Sequence, residues 1–304
     1  MGKRMETIAL LDIKGGVGKT TSVKEISHML ATMYGKKVLE IDIDPQSNLS
    51  DQFNEFDFVS TFNAIRSGKR IAGEYSIEHL LMDSTLDIHK CIKSTGYKGV
   101  DIIPAFLTLS EVEELLKADI KTPQQFKLKM HLDKVAEEYD YCLIDCSPSI
   151  SILNINALVA ADKVYIPTRT DAGSCVGIAI TMNLIDTVRT YNPRLINEGC
   201  FFTQYDNTNI AKQVKEMLEQ LLPGQIIPIT IPRNKFVAEN SYMKVPLLVR
   251  DTKGNPGKVT RAYMLLTAYI AAPNKKVFLK ELEEKGRETI ENELLQKLKE
   301  GGRY

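Results

Sequence analysis

Short apolar runs alternate along most of the chain with longer segments whose apolar positions return at helical spacing. Runs over 7–13, 37–43, 100–103, 141–145, 163–167, 199–205 and 225–231 read as strands. Segments 20–34, 150–161, 174–191, 209–222 and 259–270 read as helices between them. Gly35 closes the first helix, and Pro104 stops the strand before it. Ser110-Glu111-Val112-Glu113 reads as a capping box opening a short helix. Thr122-Pro123 supplies an N-cap and a proline at the first helical position, for a helix reaching about Tyr139. This alternation predicts an α/β fold, a single doubly wound, mostly parallel sheet flanked by helices. Segment 51–98 is the least regular and is expected to decorate a sheet edge. Residues 1–274 read as one domain and 275–304 as a charged helical extension, packing on that domain or on a dimer partner.

Composition narrows the class. With 304 residues, 43% of them apolar and 26% charged, the chain can bury a full core. Lys+Arg and Asp+Glu each number 39, so a uniformly basic nucleic-acid coat is excluded, though a local basic face is not. No run reaches the roughly 18 apolar residues of a membrane span. The first residues lack the apolar stretch of a secretory signal, and Glu6 spoils a myristoylation match at Gly2. The five cysteines are scattered and fit a reducing, cytoplasmic setting; Cys142 and Cys146 sit in an apolar run and read as buried thiols.

The strongest chemical signal is Lys14-Gly15-Gly16-Val17-Gly18-Lys19-Thr20-Thr21, between a predicted strand and a predicted helix. That is the context of a phosphate-binding loop. Glycines let backbone N–H groups approach phosphate oxygens, and the helix N-terminus adds its positive dipole end. Lys19 is then the side chain that reaches the β- and γ-phosphates, and Thr20 offers a hydroxyl to Mg²⁺.

The usual G-x-x-x-x-G-K-[ST] spelling would place glycine where this chain has Ile13, and Lys14 is an extra lysine. In this the loop resembles the deviant Walker A box of the ParA/MinD family of ATPases. The resemblance continues in Asp42-Ile43-Asp44-Pro45-Gln46-Ser47-Asn48, similar to that family's second box, and in the Walker B-like strand Tyr141-Cys142-Leu143-Ile144-Asp145. It implies ATP and Mg²⁺ as cofactors, with the cofactor cradled by residues 14–21 (Lys14, Gly15, Gly16, Val17, Gly18, Lys19, Thr20 and Thr21). It makes Lys14 a lysine that reaches the partner's phosphates in a nucleotide-sandwich dimer, and catalytic together with Lys19 and Asp44. Asp44 positions the attacking water; Thr20, Asp42 and Asp145 serve the metal and its water shell. Thr203 and Gln204, at one strand end, and Pro232 and Arg233, in a later loop, correspond to the base-contacting positions.

Within the family the chain resembles the short partition ATPases, because only 13 residues precede Lys14. That implies slow hydrolysis, an ATP-dependent homodimer, non-specific DNA binding with nucleoid association, a centromere-binding ParB-like partner, and no membrane. Residues 207–261 hold nine basic and four acidic side chains, a local +5 that the rest of the chain cancels. Positions where such ATPases often carry DNA-contacting arginines hold Asn207 and Phe236, so Lys212, Lys215, Lys235 and Lys244 become the candidate DNA contacts. Asp12 stands where Asn is frequent, and Ser147 where proline is; Asp12 either repels phosphate or hydrogen-bonds the switch region. The alternatives are a MinD-like membrane-associated positioning ATPase, which wants a basic amphipathic tail, and a low-turnover ATP-binding regulator. The tail is mixed in sign and heptad-like at Phe278, Leu282, Ile290, Leu294 and Leu298, which favours packing.

Overall fold

The computed structural model describes residues 4–53, 75–119, 123–251 and 256–300. In chain order these form β1 (Glu6–Leu10), α1 (Lys19–Tyr34), β2 (Val38–Asp42), α2 (Ile77–Met82), β3 (Lys93–Ser94), β4 (Val100–Ile103) and α3 (Leu109–Ala118). There follow α4 (Lys127–Leu132), β5 (Tyr141–Asp145), α5 (Ile152–Ala160), β6 (Lys163–Thr168), α6 (Ala172–Val188), β7 (Ile196–Phe202) and α7 (Asn209–Leu221). Helices α8 (Lys235–Met243), α9 (Leu247–Arg250), α10 (Lys258–Ala271), α11 (Lys275–Lys285) and α12 (Arg287–Glu300) complete the described chain.

The strands form one seven-stranded sheet in the order β3-β4-β2-β5-β1-β6-β7, parallel except for β3. Alternate β1 side chains feed opposite faces. Ile8 and Leu10 join Val23, Ile26 and Leu30 of α1 and Tyr263 and Leu266 of α10. Ala9 and Leu11 join Leu153 and Ala157 of α5 and Ile178 and Ile185 of α6. Both faces are therefore covered, as a doubly wound sheet requires. Ile290, Leu294, Leu295 and Leu298 of α12 are buried in the α1–α10 layer.

Three local expectations change. The 225–231 segment runs beside β7 but makes only isolated bridges, Cys200 with Ile226 and Tyr205 with Pro232. Pro228 and Pro232 carry no N–H, so a continuous ladder cannot form. The segment approaches so closely that a Cβ on Gly199, whose φ is 102°, would stand 2.2 Å from the Gln225 carbonyl oxygen.

Helix α3 starts at Leu109 after Thr108, and the Ser110 hydroxyl donates to the Leu107 carbonyl instead of capping. Beyond Pro123 the chain makes a 3₁₀ turn (Gln124–Phe126), then only the short α4. Asn156 fixes this stretch by accepting from Leu128 N and donating to Gln124 O, and three-residue turns then carry the chain into β5. Thr122 lies outside the described residues, as does 54–74 within the irregular segment.

Candidate nucleotide site

The site lies at the C-terminal ends of the central strands, where the strand order reverses and open α/β sheets bind ligands. Register does much of the placing: Leu10 pairs with Asp145, and Asp145 with Asp42. The loop leaving β1 turns into α1 through Gly18, which takes the left-handed φ of 81°. Lys19 is buried and donates from Nζ to the carbonyls of Asp12 (2.9 Å) and Lys14 (3.1 Å).

Asp12 stays within the loop, accepting from the Lys14 N–H at 2.8 Å. Burial raises its pKa, against the pull of that N–H and of Lys19. The sequence left open repulsion of phosphate or a hydrogen bond to the switch region; the bond seen goes instead to the loop's own Lys14 backbone.

Three carboxylates converge opposite Thr20. Asp42 accepts from Ser50 N (2.8 Å), Ser50 Oγ (2.7 Å) and Asp44 N (3.1 Å). Burial nevertheless pushes its pKa up to about 7. Asp44 accepts from Gln46 N at 2.9 Å and is raised by burial, with Lys19 drawing it down.

Asp145 is buried, and neither oxygen has a well-formed hydrogen bond among the described residues, the Thr20 hydroxyl being near enough only for a weak one. Its pKa is raised well above the ordinary carboxylate value by burial and the neighbouring Asp42, against Thr20 and Lys19. Such an under-satisfied buried carboxylate is costly unless a ligand completes it. A hydrated Mg²⁺ suits it: a hard cation that keeps several waters needs acceptors for them and few direct protein ligands. Among the described residues no cluster of three or more His, Cys, Asp or Glu is arranged to hold an ion by itself.

Two adjoining cavities make room for a nucleotide. One, of about 360 Å³, is lined by the whole loop from Gly15 to Thr21, with Lys24, Asp44, Gln46, Asn48, Gln52 and Pro148. The second, of about 480 Å³, is lined by Gly18, Thr21, Thr203, Gln204, Pro232, Arg233, Lys235 and Tyr263 among others. Thr203 donates to Val17 O (2.7 Å) and Gln204 to Gly16 O (2.9 Å), so the β7 end is pinned to the loop. The Arg233 N–H donates to Tyr205 O at 3.0 Å, which holds the Pro232-Arg233 turn beside that strand end.

Lys14 lies elsewhere. Its ammonium bonds Asp171, the N-cap of α6, and reaches Ser174 Oγ at 3.3 Å. Burial works against the Asp171 carboxylate, but Lys14 and Ser174 more than offset it and hold its pKa below the ordinary value.

The four candidate DNA lysines fall on different elements. Lys212 and Lys215 lie on α7, Lys215 paired with Glu219 at 3.4 Å. Lys235 opens α8 at the rim of the second cavity. Lys244 follows that helix with a left-handed φ of 59°. The exposed Phe236 ring has the Arg250 guanidinium 4.8 Å and the Lys235 ammonium 5.6 Å from its centre.

Sequence reasoning missed Lys24, Gln52 and Asp171. Asp171-Ala172-Gly173-Ser174 carried the N-cap signal for Asp171. Lys24 carried no comparable signal, because its helix-face neighbours Thr20, Thr21, Ser27 and His28 are polar and a lysine among them reads as an ordinary solvated position.

Loop, sheet position and paired cavities define a P-loop nucleotide-binding protein. A family described as an AAA domain matches residues 5–197. The chain is 32% identical over 274 residues to the sporulation initiation inhibitor protein Soj of Bacillus subtilis, covering 90% of this chain and 99% of that protein. It is 32% identical over 251 residues to the chromosome partitioning protein ParA of Caulobacter vibrioides, covering 82% and 88%. Among solved structures, cobyrinic acid a,c-diamide synthase from Mycobacterium smegmatis with bound ADP and magnesium superposes with a TM-score of 0.71 at 24% identity, covering 89% and 97%. The chain belongs to the ParA/Soj family of P-loop ATPases.

Proposed function

We propose that this chain is a partition ATPase: it binds ATP with Mg²⁺, dimerises in that state, hydrolyses ATP slowly, and holds DNA non-specifically until a centromere-binding, ParB-like partner stimulates turnover. The observation that carries the reading is the convergence of an intact phosphate loop, a buried Asp145 without a well-formed hydrogen bond among the described residues, and a second cavity at Thr203, Gln204, Pro232 and Arg233.

Lys19 swings from the loop carbonyls onto the β- and γ-phosphates. Mg²⁺, when bound, neutralises phosphate charge. Thr20 would offer it a hydroxyl, and Asp42 and Asp145 would hold it through its water shell. Asp44 orients the water that attacks the γ-phosphorus as the bond to the β-phosphate oxygen breaks. Lys14, released from Asp171, stabilises the charge that develops across the dimer. ATP binding converts the chain into a form retained on the nucleoid.

The relatives named as chromosome partitioning proteins support this reading over the membrane alternative. So does the tail, whose Ile290, Leu294, Leu295 and Leu298 are committed to the core. Gel filtration with ATP, with ADP and without nucleotide, each with and without non-specific DNA, tests it. A dimer that forms with ATP alone and then co-elutes with DNA is expected. Lys19→Ala should abolish both effects; a nucleotide-independent elution volume for the unmodified chain would sink the reading.

A further inference from the structure

Lys24 is a lysine in a costly place. It lies on α1 one turn beyond Thr20, its side chain is only 4% exposed, and burial lowers its pKa. A buried charge of this kind rarely improves stability over an apolar side chain of similar size. Its surroundings point to another use. Lys24 lines the phosphate cavity, and its ammonium donates to Gln52 Oε1 at 3.2 Å. Gln52 lines the same cavity, at the end of the loop that carries Asp44, Gln46 and Asn48. On the other side Lys24 faces Glu25 at 3.8 Å, and Glu25 accepts from the Leu247 N–H at 2.9 Å, at the start of α9.

We propose that Lys24 is a positioning residue for hydrolysis: anchored by Glu25, it holds the 44–52 loop against the phosphate cavity through Gln52, and so fixes Asp44 over the γ-phosphate. The assignment rests on the ATPase reading above for its chemistry, but the anchoring itself does not. The loop's own turns, Ser47 N to Asp44 O, Asp51 N to Ser47 O and Gln52 N to Leu49 O, give it shape. Lys24 ties that shape to the helix that bears Lys19 and Thr20. No group of the phosphate loop needs Lys24 for its own hydrogen bonds, so ground-state nucleotide binding should survive its loss while the placement of Asp44 does not.

The test uses the full chain with Lys24→Met, Lys24→Arg, Gln52→Ala and the Lys24→Met/Gln52→Ala pair. Hydrogen exchange of the 44–53 amides is measured without nucleotide, and affinity for a fluorescent ATP analogue and single-turnover hydrolysis are measured with Mg²⁺. Lys24→Met and Gln52→Ala should each speed exchange in 44–53 and slow the single turnover on the order of tenfold or more. ATP affinity should change less than about threefold, the double variant should be no worse than Lys24→Met alone, and Lys24→Arg should restore part of the rate. Unchanged exchange in both single variants, or additive losses in the pair, would overturn the assignment. If Lys24→Met does not fold, Gln52→Ala, altered on the cavity side, decides alone. Faster exchange in a chain that binds no ATP would instead condemn the ATPase reading and leave the anchor standing.

Discussion

At the scale of single residues, charge placement separates the groups made for chemistry from those made for packing. Lys14 is held by Asp171 and Ser174, away from the phosphate cavity. Asp171→Asn keeps the N-cap acceptor and removes the opposing charge. If Lys14 serves a partner subunit, sedimentation should find the ATP dimer of this variant forming at several-fold lower protein concentration. An unchanged concentration dependence would mean that the ion pair does not restrain Lys14.

Glu25 makes a separate case. Burial raises its pKa from the ordinary 4.5 to about 7, against the pull of Lys24 and the Leu247 N–H. Its proton is therefore held more tightly in the folded chain, and the stability this brings is complete below about pH 4.5 and lost as pH rises through 7. Glu25→Gln should flatten the fall of stability between those values, by on the order of 3 kcal/mol, as read from denaturant midpoints against pH. A parallel curve for wild type and variant would refute the assignment of the shift to this residue. Cys142 and Cys146, read from the sequence as buried thiols, are fully buried and free, and burial raises both thiol pKa values.

At the scale of elements, what could be read from the sequence was what local pattern determines. The run ending before Lys14, the helix closed by Gly35 and the polar-ended strand finishing at Asp145 are each signalled by adjacent residues, and the structure keeps them within a few positions. The elements that changed depend on distant contacts. Ser110 had the right neighbours for a capping box, yet Thr108 stands before the helix and the Ser110 hydroxyl turns back to Leu107. Asn156, far along the chain, decides where the helix after Pro123 begins. Likewise the motifs announced the loop and the carboxylates, whereas Lys24, Gln52 and Asp171 join the site only through folding. Gly199→Ala tests the closest of these long-range approaches. A methyl group there meets the Gln225 carbonyl and an unfavourable φ, so the variant should lose several kcal/mol of stability, on the order of 3 or more. Near wild-type melting would show that the 225–231 segment can move aside.

At the scale of the whole molecule, a net charge of zero conceals a basic segment between residues 207 and 261. Lys212 lies exposed on α7, whereas Lys215 is half-buried and shared with Glu219. Reversing both to Glu should weaken ATP-dependent retention on DNA and make what remains less sensitive to salt, with nucleotide binding intact. Retention equal to wild type across a salt series would move the DNA face to Lys235 and Lys244, beside the nucleotide cavity.

The outer strands carry a different consequence. On one side the sheet ends in β3, two residues long, antiparallel and carrying Lys93; on the other, Pro228 and Pro232 interrupt the segment beside β7. Among the described residues, neither margin offers the long, flat row of free backbone groups on which another chain could add a strand. Crowding many copies together should therefore not seed fibrils through the sheet, and the protein can be concentrated locally while remaining free to disperse.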